Sequence, residues 1–236
     1  MKKKLCVFAL IVLTAIFAVS TYFLLTQNIE DKKQMNNFEE IQDIVDDNSN
    51  DIYSLGIYSD LYGQNSDFMA WTNINYPVMR SKDNPNYYLN HNFNKEYSRF
   101  GVPYMQEYCD MQSDNIVIYG HNMQNKSMFN ELTNYKSKHF YEKHKIIVID
   151  TTLEHREYEV IAVFKTVAYE SNSFEYYSFV NASTEDDYRA YIEKCKALSL
   201  YDTGIDAQYG DKLITLSTCE YSQDNGRFVV VAKLVD

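Results

Sequence analysis

The residues best suited to chemistry in this sequence are Cys219 and Arg227, which stand eight positions apart near its C-terminal end. Cys219 closes the apolar run that begins at Leu213, and Arg227 opens the next run. Both runs have the composition of buried β-strands, and the polar, glycine-containing segment between them is typical of a turn. Strands joined by so short a loop usually pair antiparallel, so the thiol and the guanidinium are predicted to share one end of a sheet.

A thiol beside a fixed positive charge has a definite chemical use. The thiolate is the reactive form of cysteine, and a neighbouring cation favours that form. Arginine stays charged at any working pH, and its planar fork of donors can hold a developing oxyanion. The alternative interpretation is that Cys219 is a small packing residue and Arg227 a surface charge, because most free cysteines are inert.

The acid/base that such a nucleophile needs must come from another part of the chain, since a catalytic His and Cys need only be neighbours in space. His121 is the best candidate, because it follows an apolar run, residues 116–119, and a glycine. It is therefore predicted to lie at a strand end, as Cys219 is. The other four histidines fall in loops, a turn or a lysine-rich stretch, where surface positions are expected.

Three separated motifs resemble those of the sortases, the cysteine transpeptidases of Gram-positive cell surfaces. The family pattern is TLxTC with a downstream Arg, and this sequence has TLSTC at residues 215–219 followed by Arg227. The family's catalytic His lies far upstream, and His121 lies 98 residues before Cys219. From residue 73, the order of segments is similar to that of class B sortases: NINYPVMRSKDNPNYYLNHNF, FGVPYM, IVIYGHNM and MFNEL.

The resemblance, which covers about residues 68–236, implies a mainly β fold with added helices. The expected architecture is an eight-stranded sortase-type β-barrel with N-terminal helices and a late inserted helix. Many short strand-like runs also predict a barrel or a sandwich. They are residues 75–79, 101–105, 115–119, 145–150, 158–168, 212–218 and 228–234, with a hairpin connection at 151–156.

Two helices are predicted between these strands. The first covers residues 127–135. The second begins after Thr184, a cap followed by three acidic residues, and ends near Leu198. Class B sortases have an extra helix at this second position, so we expect it to form a wall of the substrate groove.

The resemblance also implies a mechanism and its partners. A surface protein presents a C-terminal sorting pentapeptide of the N-P-x-T-N or P-x-T-G type, and the Cys219 thiolate attacks its Thr carbonyl. Arg227 and the backbone N–H of Glu220 are expected to hold the oxyanion. His121 protonates the departing amine and then deprotonates an incoming amine of a cell-wall peptide or peptidoglycan precursor. The residues expected to contact the substrate are Ser217, Thr218, Asn122 and Tyr119.

Three other functions stay open at this point. An extracytoplasmic cysteine endopeptidase would release its acyl-enzyme to water, and amine-dependent product formation would distinguish the two. An L,D-transpeptidase is also an exported Cys/His enzyme, but its SHGC-type motif is absent. A membrane-anchored binding domain without chemistry would have a Cys219 that is inert toward thiol reagents.

The N-terminal residues predict a membrane anchor. Residues 1–4 carry three lysines, and residues 5–25 carry no charge and would span about 31 Å as a helix, which matches a bilayer core. The lysines predict a single-pass protein with its N-terminus in the cytoplasm and its catalytic domain outside the cell. A signal peptide cleaved near residues 18–20 is the competing interpretation. The predicted boundaries are a cytoplasmic tail 1–4, an anchor 5–25, a polar and helical stalk 26–60 and a catalytic domain 61–236.

Net charge restricts the classes of partner, and cysteine content restricts the possible disulfides and metal sites. The net charge of −11 argues against nucleic acid and against anionic lipid headgroups. Of the four cysteines, Cys6 lies in the anchor, so at least one of the other three is unpaired. A Cys109–Cys195 disulfide stays open. No CxxC motif or Cys/His cluster indicates a metal site, and no cofactor is expected.

Overall fold

The computed structural model of the 236-residue chain describes residues 2–48, 55–170 and 173–235. Contacts divide the chain into two units, residues 1–45 and residues 46–236. The first unit is formed by helix α1, Lys2–Asn48. Within the described residues, α1 is the one helix that is long and apolar enough to cross a membrane, and an 18-residue window in it has a mean hydropathy of 2.4. Its large apolar side chains between Val7 and Leu25 are exposed.

The second unit is a closed barrel in which the strands follow the order β1-β2-β3-β4-β7-β8-β6-β5. This architecture confirms the predicted fold class, a mainly β chain with an eight-stranded barrel and added helices. The strands are β1 Phe68–Thr72, β2 Tyr76–Met79, β3 Tyr104–Met105, β4 Asn115–Tyr119, β5 Ile146–Asp150, β6 His155–Val167, β7 Leu213–Cys219 and β8 Gly226–Leu234.

Helices join and cover the strands of this barrel. Thr184 caps the late helix as predicted, because its side chain accepts a hydrogen bond from the Asp187 N–H. The α-helices of this unit are α2 Leu55–Gln64, α3 Lys138–Lys143 and α4 Glu185–Leu198. The 3₁₀ helices are Tyr87–Leu89, Phe129–Lys136 and Tyr176–Ser178. Helix α2 spans the predicted boundary between stalk and catalytic domain at residues 60 and 61, and it packs against β1.

The strand order places three strand ends at one rim of the barrel. Strand β7 pairs in parallel with β4 and antiparallel with β8. The C-terminal ends of β4 and β7 and the N-terminal end of β8 therefore meet. Residues 213–218 of β7 are all buried, as expected for a strand covered on both faces. Such a strand has little freedom to shift its register, so the rim is held firmly.

Two apolar clusters hold these strands in place. The first cluster contains buried side chains of the rim strands, among them Val117, Leu216 and Phe228. A second cluster lies between α4 and the outer faces of β6 and β8, and it contains Phe164 and Ile192. Full burial of one such side chain contributes roughly 1.5–3 kcal/mol. Rim residues are thus attached to strands that are packed on both faces.

The structure differs from the predicted elements in several places, and the strand predicted at 101–105 is confined to Tyr104–Met105. Strand β1 is absent from the predicted strands, because a five-residue apolar run lacks a periodicity that distinguishes strand from helix. The helix predicted at 127–135 is a 3₁₀ helix, Phe129–Lys136, and α3 directly after it is also absent from the prediction. Strand β6 begins at His155, earlier than expected, so the hairpin turn is confined to residues 151–154.

Candidate active site

Cys219 and Arg227 are direct cross-strand partners. They face each other in the antiparallel register of β7 and β8, which confirms the prediction that both lie at one sheet end. The hairpin closes tightly, because the Glu220 N–H donates to the Gly226 carbonyl at 2.9 Å. A Cβ on Gly226 would lie only 2.2 Å from the Glu220 carbonyl oxygen, so this position requires glycine.

His121 reaches the same rim from the neighbouring strand. Strand β4 ends at Tyr119, which is in register with Ser217 of β7, and the Gly120 N–H continues the ladder to the Ser217 carbonyl at 3.1 Å. The ring nitrogen Nε2 of His121 lies 2.8 Å from the carbonyl oxygen of Leu89. Since a carbonyl only accepts, Nε2 carries a hydrogen in this contact.

Cys219, Arg227 and His121 line one pocket of about 430 Å³. The thiol is partly exposed there and is not in a disulfide. The Arg227 guanidinium lies 5.9 Å from the ring centroid of Tyr169, and its Nη1 donates to the Gly226 carbonyl at 3.0 Å. A nucleophilic side chain, a titratable imidazole and a fixed cation therefore border the same space. These are the groups that acyl transfer by a cysteine enzyme needs.

Tyrosines form much of the wall of this pocket. Burial raises the pKa of Tyr104 and of Tyr176 to about 12 and raises the pKa of Tyr119 further. These hydroxyls therefore stay protonated at neutral pH and offer hydrogen bonds and apolar ring surface, but no negative charge. The Tyr176 hydroxyl also lies 2.6 Å from the hydroxyl of Ser217. The lining is otherwise completed by Pro85, Asn86, Leu89, Gln106, Glu107, Tyr108, Gly120, Ala168, Tyr169, Tyr177 and Thr218.

A match to a known family decides what this arrangement is. A sequence model described as the Sortase domain matches residues 71–235. The chain belongs to the sortase family. The curated sortase B of Staphylococcus aureus is 29% identical over 246 residues, covering 99% of this chain and 98% of that protein. The sortase B of Listeria monocytogenes is 36% identical over 188 residues, covering 75% of this chain and 73% of that protein.

Solved structures agree with this assignment. A Staphylococcus aureus sortase B–substrate complex superposes with a TM-score of 0.79 at 29% identity, covering 88% of this chain and 99% of that one. A sortase B complexed with triglycine gives a TM-score of 0.78 at the same identity and coverage. The chain is thus a class B sortase, a cysteine transpeptidase of the kind that anchors surface proteins. This removes the L,D-transpeptidase and the non-enzymatic interpretations.

The backbone N–H of Glu220, expected to hold the oxyanion, is already engaged in the sortase structure. It donates to the Gly226 carbonyl, the same oxygen that accepts from Arg227 Nη1. Both expected oxyanion donors thus share one acceptor. The single N–H of Glu220 must give up or divide that hydrogen bond before it can bind a developing oxyanion, whereas the guanidinium of Arg227 has further N–H donors.

The side chain of Glu220 points to a separate role. Its carboxylate is buried and accepts from Ser222, from Lys165 Nζ at 2.9 Å and from Lys136 Nζ at 3.2 Å. The Ser222 donors and the two ammonium groups lower the pKa of Glu220 to about 2. This cluster attaches the residue after Cys219 to β6 and to the 3₁₀ helix Phe129–Lys136.

The four residues expected to contact substrate differ in their positions. Tyr119 and Ser217 line the pocket of the sortase. Thr218 also borders it, but its hydroxyl is committed to the Gly120 carbonyl at 2.7 Å. Asn122 is outside the lining, and its side-chain amide donates to the Cys219 carbonyl at 2.8 Å. The observed contact of Asn122 is therefore with the backbone of Cys219, and its contact with substrate stays a prediction.

Helix α4 does not border this pocket, so its expected role as a wall of the substrate groove stays a prediction. None of its residues lines the catalytic pocket; α4 instead borders a second cavity of about 510 Å³ together with residues 206–209. The wall of this pocket comes from the segment before α4, where Tyr176 and Tyr177 lie. Sequence reasoning missed these two tyrosines and Leu89, because each stands in a short 3₁₀ helix without a periodic pattern. Within the described residues, no group of three or more His, Cys, Asp or Glu could hold a metal.

Proposed function

We propose that this sortase cleaves a C-terminal sorting pentapeptide of the N-P-x-T-N or P-x-T-G type after Thr and joins the Thr carboxyl to a cell-wall amine. The observation that carries the proposal is the cross-strand pair of Cys219 and Arg227, with His121 in the same pocket. Two solved relatives support it, since one is a substrate complex and one is complexed with triglycine. A donor peptide and an acceptor amine are the two reactants of transpeptidation.

The first half of the reaction forms a thioester. The Cys219 thiolate attacks the Thr carbonyl carbon, and the carbonyl electrons move onto oxygen. The tetrahedral intermediate then expels the amine of the following residue as the C–N bond breaks. His121 in its protonated form gives that amine a proton, which leaves an acyl-enzyme and a neutral imidazole.

The second half of the reaction returns the enzyme to its starting state. An incoming cell-wall amine attacks the thioester and loses its proton to His121, and the C–S bond breaks to release the Cys219 thiolate. The product is a new amide at Thr. Water in place of the amine would give hydrolysis, which is the endopeptidase alternative.

In both halves of the reaction, hydrogen-bond donors must stabilise the negative charge that develops on the carbonyl oxygen. Arg227 is the principal candidate, because its fork-shaped cation lies across the strand pair from Cys219. The Glu220 N–H is the second candidate, provided that it leaves the Gly226 carbonyl. Ser217 and Tyr119 face the bound peptide, whereas Thr218 supports the rim from within.

The apolar N-terminal helix supports a tether for this activity. We infer that residues 5–25 cross the membrane once, with the lysines at the cytoplasmic side and the catalytic domain outside the cell. The sorting peptide of an exported protein and the wall amine would both be on that side.

A two-reactant assay tests the proposal. The full-length protein in detergent is given fluorogenic peptides of both pentapeptide types, with and without triglycine, and products are identified by mass spectrometry. We expect cleavage after Thr, a triglycine-ligated product and a thioester on the peptide that contains Cys219. Cys219→Ala is the control and should give none of these. Cleavage with no ligated product at any triglycine concentration would favour the endopeptidase, and no cleavage of either type would refute the proposed substrate class.

A further inference from the structure

The peptide unit that joins Cys219 to Glu220 is held at both ends. On one side, the Cys219 carbonyl accepts from Asn122 Nδ2 at 2.8 Å. On the other side, the Glu220 N–H donates to the Gly226 carbonyl at 2.9 Å. In a planar trans peptide the C=O and the N–H point in opposite directions. The two hydrogen bonds therefore fix the rotation of this peptide plane, and that plane carries the nucleophile's backbone and one candidate oxyanion donor.

Asn122 is itself held by neighbours. Its Oδ1 accepts from Asn130 Nδ2 at 2.6 Å, and its backbone carbonyl accepts from the Tyr221 hydroxyl at 2.7 Å. The side chain is buried. The Asn130 donor occupies the oxygen of the Asn122 amide, which leaves its NH₂ group to face the Cys219 carbonyl. The orientation of this amide is thus set by Asn130.

The same region also holds the candidate acid/base. The Phe129 N–H donates to the His121 carbonyl at 2.9 Å. Phe129 and Asn130 are the first two residues of the 3₁₀ helix Phe129–Lys136. The first turn of this 3₁₀ helix therefore holds the backbone of His121 directly and the backbone of Cys219 through Asn122. Its position is fixed because the Phe129 ring packs against Gly120, where an added Cβ would lie 2.5 Å from the ring.

We propose that Asn122 and Asn130 form a positioning pair that fixes the Cys219–Glu220 peptide plane relative to His121. The pair touches neither substrate nor the reacting atoms and acts only through this backbone. The consequence for catalysis rests on the proposed function, since it assumes that Cys219 is the nucleophile. Small misplacements of a reacting group cost up to about a hundredfold in rate.

Kinetics of three variants test the catalytic part. Asn122→Ala in the full-length protein should lower kcat at least about tenfold and change KM by less than about threefold, because the interaction lost is with the catalytic backbone and not with the peptide. Asn130→Ala should lower kcat by a smaller factor in the same direction. The double variant should match Asn122→Ala, since Asn130 acts through Asn122. Asn134→Ala, an exposed Asn on the same 3₁₀ helix, is the matched control and should leave kcat unchanged.

Hydrogen exchange tests the clamp, that is, the two hydrogen bonds that fix the Cys219–Glu220 peptide plane, and it needs no substrate. In Asn122→Ala the Glu220 amide should exchange at least about tenfold faster than in the wild type, because the peptide plane loses one of its two hydrogen bonds. The amides of β8 beyond Gly226 serve as the internal reference and should keep their rates. Circular dichroism establishes that each variant is folded, and Asn130→Ala takes the place of Asn122→Ala if the latter is not.

The outcomes separate the clamp from the proposed reaction. Unchanged exchange of the Glu220 amide would overturn the clamp, whatever the activity. Faster exchange with unchanged kcat would overturn the positioning role. Fully additive losses in the double variant would show that Asn130 does not act through Asn122 and would refute the pair. A wild type that cleaves neither pentapeptide would refute the proposed function, and the exchange result would still decide the clamp.

Discussion

Arg227 makes two contacts through its guanidinium. Its Nη1 donates to the Gly226 carbonyl, and its guanidinium lies near the ring face of Tyr169. Loss of one oxyanion donor typically costs about 10²–10³ in rate, or roughly 3–4 kcal/mol. We therefore expect Arg227→Ala to lower kcat/KM by about a hundredfold or more. Arg227→Lys should lose at least about tenfold, because an ammonium is a point charge on a flexible stem. Peptide cleavage assays on the folded variants measure both values.

The two roles open to Arg227 are distinguished by titrating the thiol. If Arg227 binds the transition state, the rate of Cys219 alkylation should keep its pH dependence in Arg227→Lys while turnover falls. If it serves only as a nearby charge, Lys should restore turnover. Near-normal turnover of Arg227→Ala would remove this residue from the site.

The two buried thiols are expected to be dispensable for turnover. Burial raises the pKa of Cys109 to about 11 and that of Cys195 to about 12, so both stay protonated and unreactive at neutral pH. Both are free, and they belong to different apolar clusters, so the disulfide left open by the sequence is not formed. We predict that Cys109→Ala and Cys195→Ala keep more than about half of the wild-type kcat/KM.

Cys109→Ala should lower the free energy of unfolding, although it leaves most of the activity. The Cys109 sulfur accepts from the Val117 N–H at 3.3 Å, and a buried donor left without a partner costs about 1–3 kcal/mol. Urea unfolding should show this loss. An acyl adduct on Cys109 in the wild type would contradict the assignment of Cys219 as nucleophile.

At the residue scale, the sequence was informative for residues whose positions relative to apolar runs place them at strand ends. Cys219, Arg227 and His121 stand at strand ends that apolar runs delimit, so their meeting could be predicted. The hydrogen-bond partners of Asn122 could not be predicted, because its contacts with Cys219 and Asn130 depend on how two loops close. The tyrosine wall was hidden for a similar reason: the chain has 22 tyrosines, and nothing local distinguishes those of the pocket.

At the scale of elements, Glu220 joins the β7–β8 loop to its surroundings. Its carboxylate is ordinarily half-protonated near pH 4.5, and its partners lower that pKa to about 2. A carboxyl whose pKa is lower in the folded state adds stability that is fully present above about pH 4.5 and is lost as pH falls through about 2. We expect Glu220→Gln to lower the free energy of unfolding by about 1–3 kcal/mol at pH 7. The difference from the wild type should shrink steadily between pH 4.5 and pH 2.

Denaturant titrations at several pH values measure this difference. Glu142→Gln on α3 is the matched control, since Glu142 is exposed, and should give no such pH dependence. A Glu220→Gln difference that is constant from pH 7 to pH 2 would contradict the role of the ionised carboxylate.

Long or capped elements were also the predictable ones. Strands β7 and β8 and helix α4 had apolar runs or a Thr cap with acids, and they lie within one or two residues of their predicted bounds. Strand β1 and helix α3 are short, and their form depends on neighbours, since β1 is held by pairing with β2 and β5. The cavity beside α4 could not be predicted, because an apolar stripe predicts that a helix packs but not which cavity it borders.

At the scale of the whole molecule, the apolar run and the candidate catalytic residues fall in different units. Residues 5–25 lie in the unit 1–45, whereas His121, Cys219 and Arg227 lie in the unit 46–236. The net charge of −11 over the whole chain favours solubility and opposes self-association. Composition alone shows where the apolar run ends, near residue 26, but this point lies inside the unit 1–45 and does not mark the boundary between the units.

A chain that begins at Gln27 should therefore be soluble without detergent and keep its activity. It lacks the exposed apolar side chains of the N-terminal part of α1 and retains every residue of the pocket. We expect one monodisperse species in size-exclusion chromatography and a kcat/KM on the sorting peptide within about threefold of the full-length protein in detergent. Cys219→Ala in the shortened chain controls for contaminating peptidases. Aggregation, or activity that appears only when residues 1–26 are present, would mean that the N-terminal segment is more than a tether.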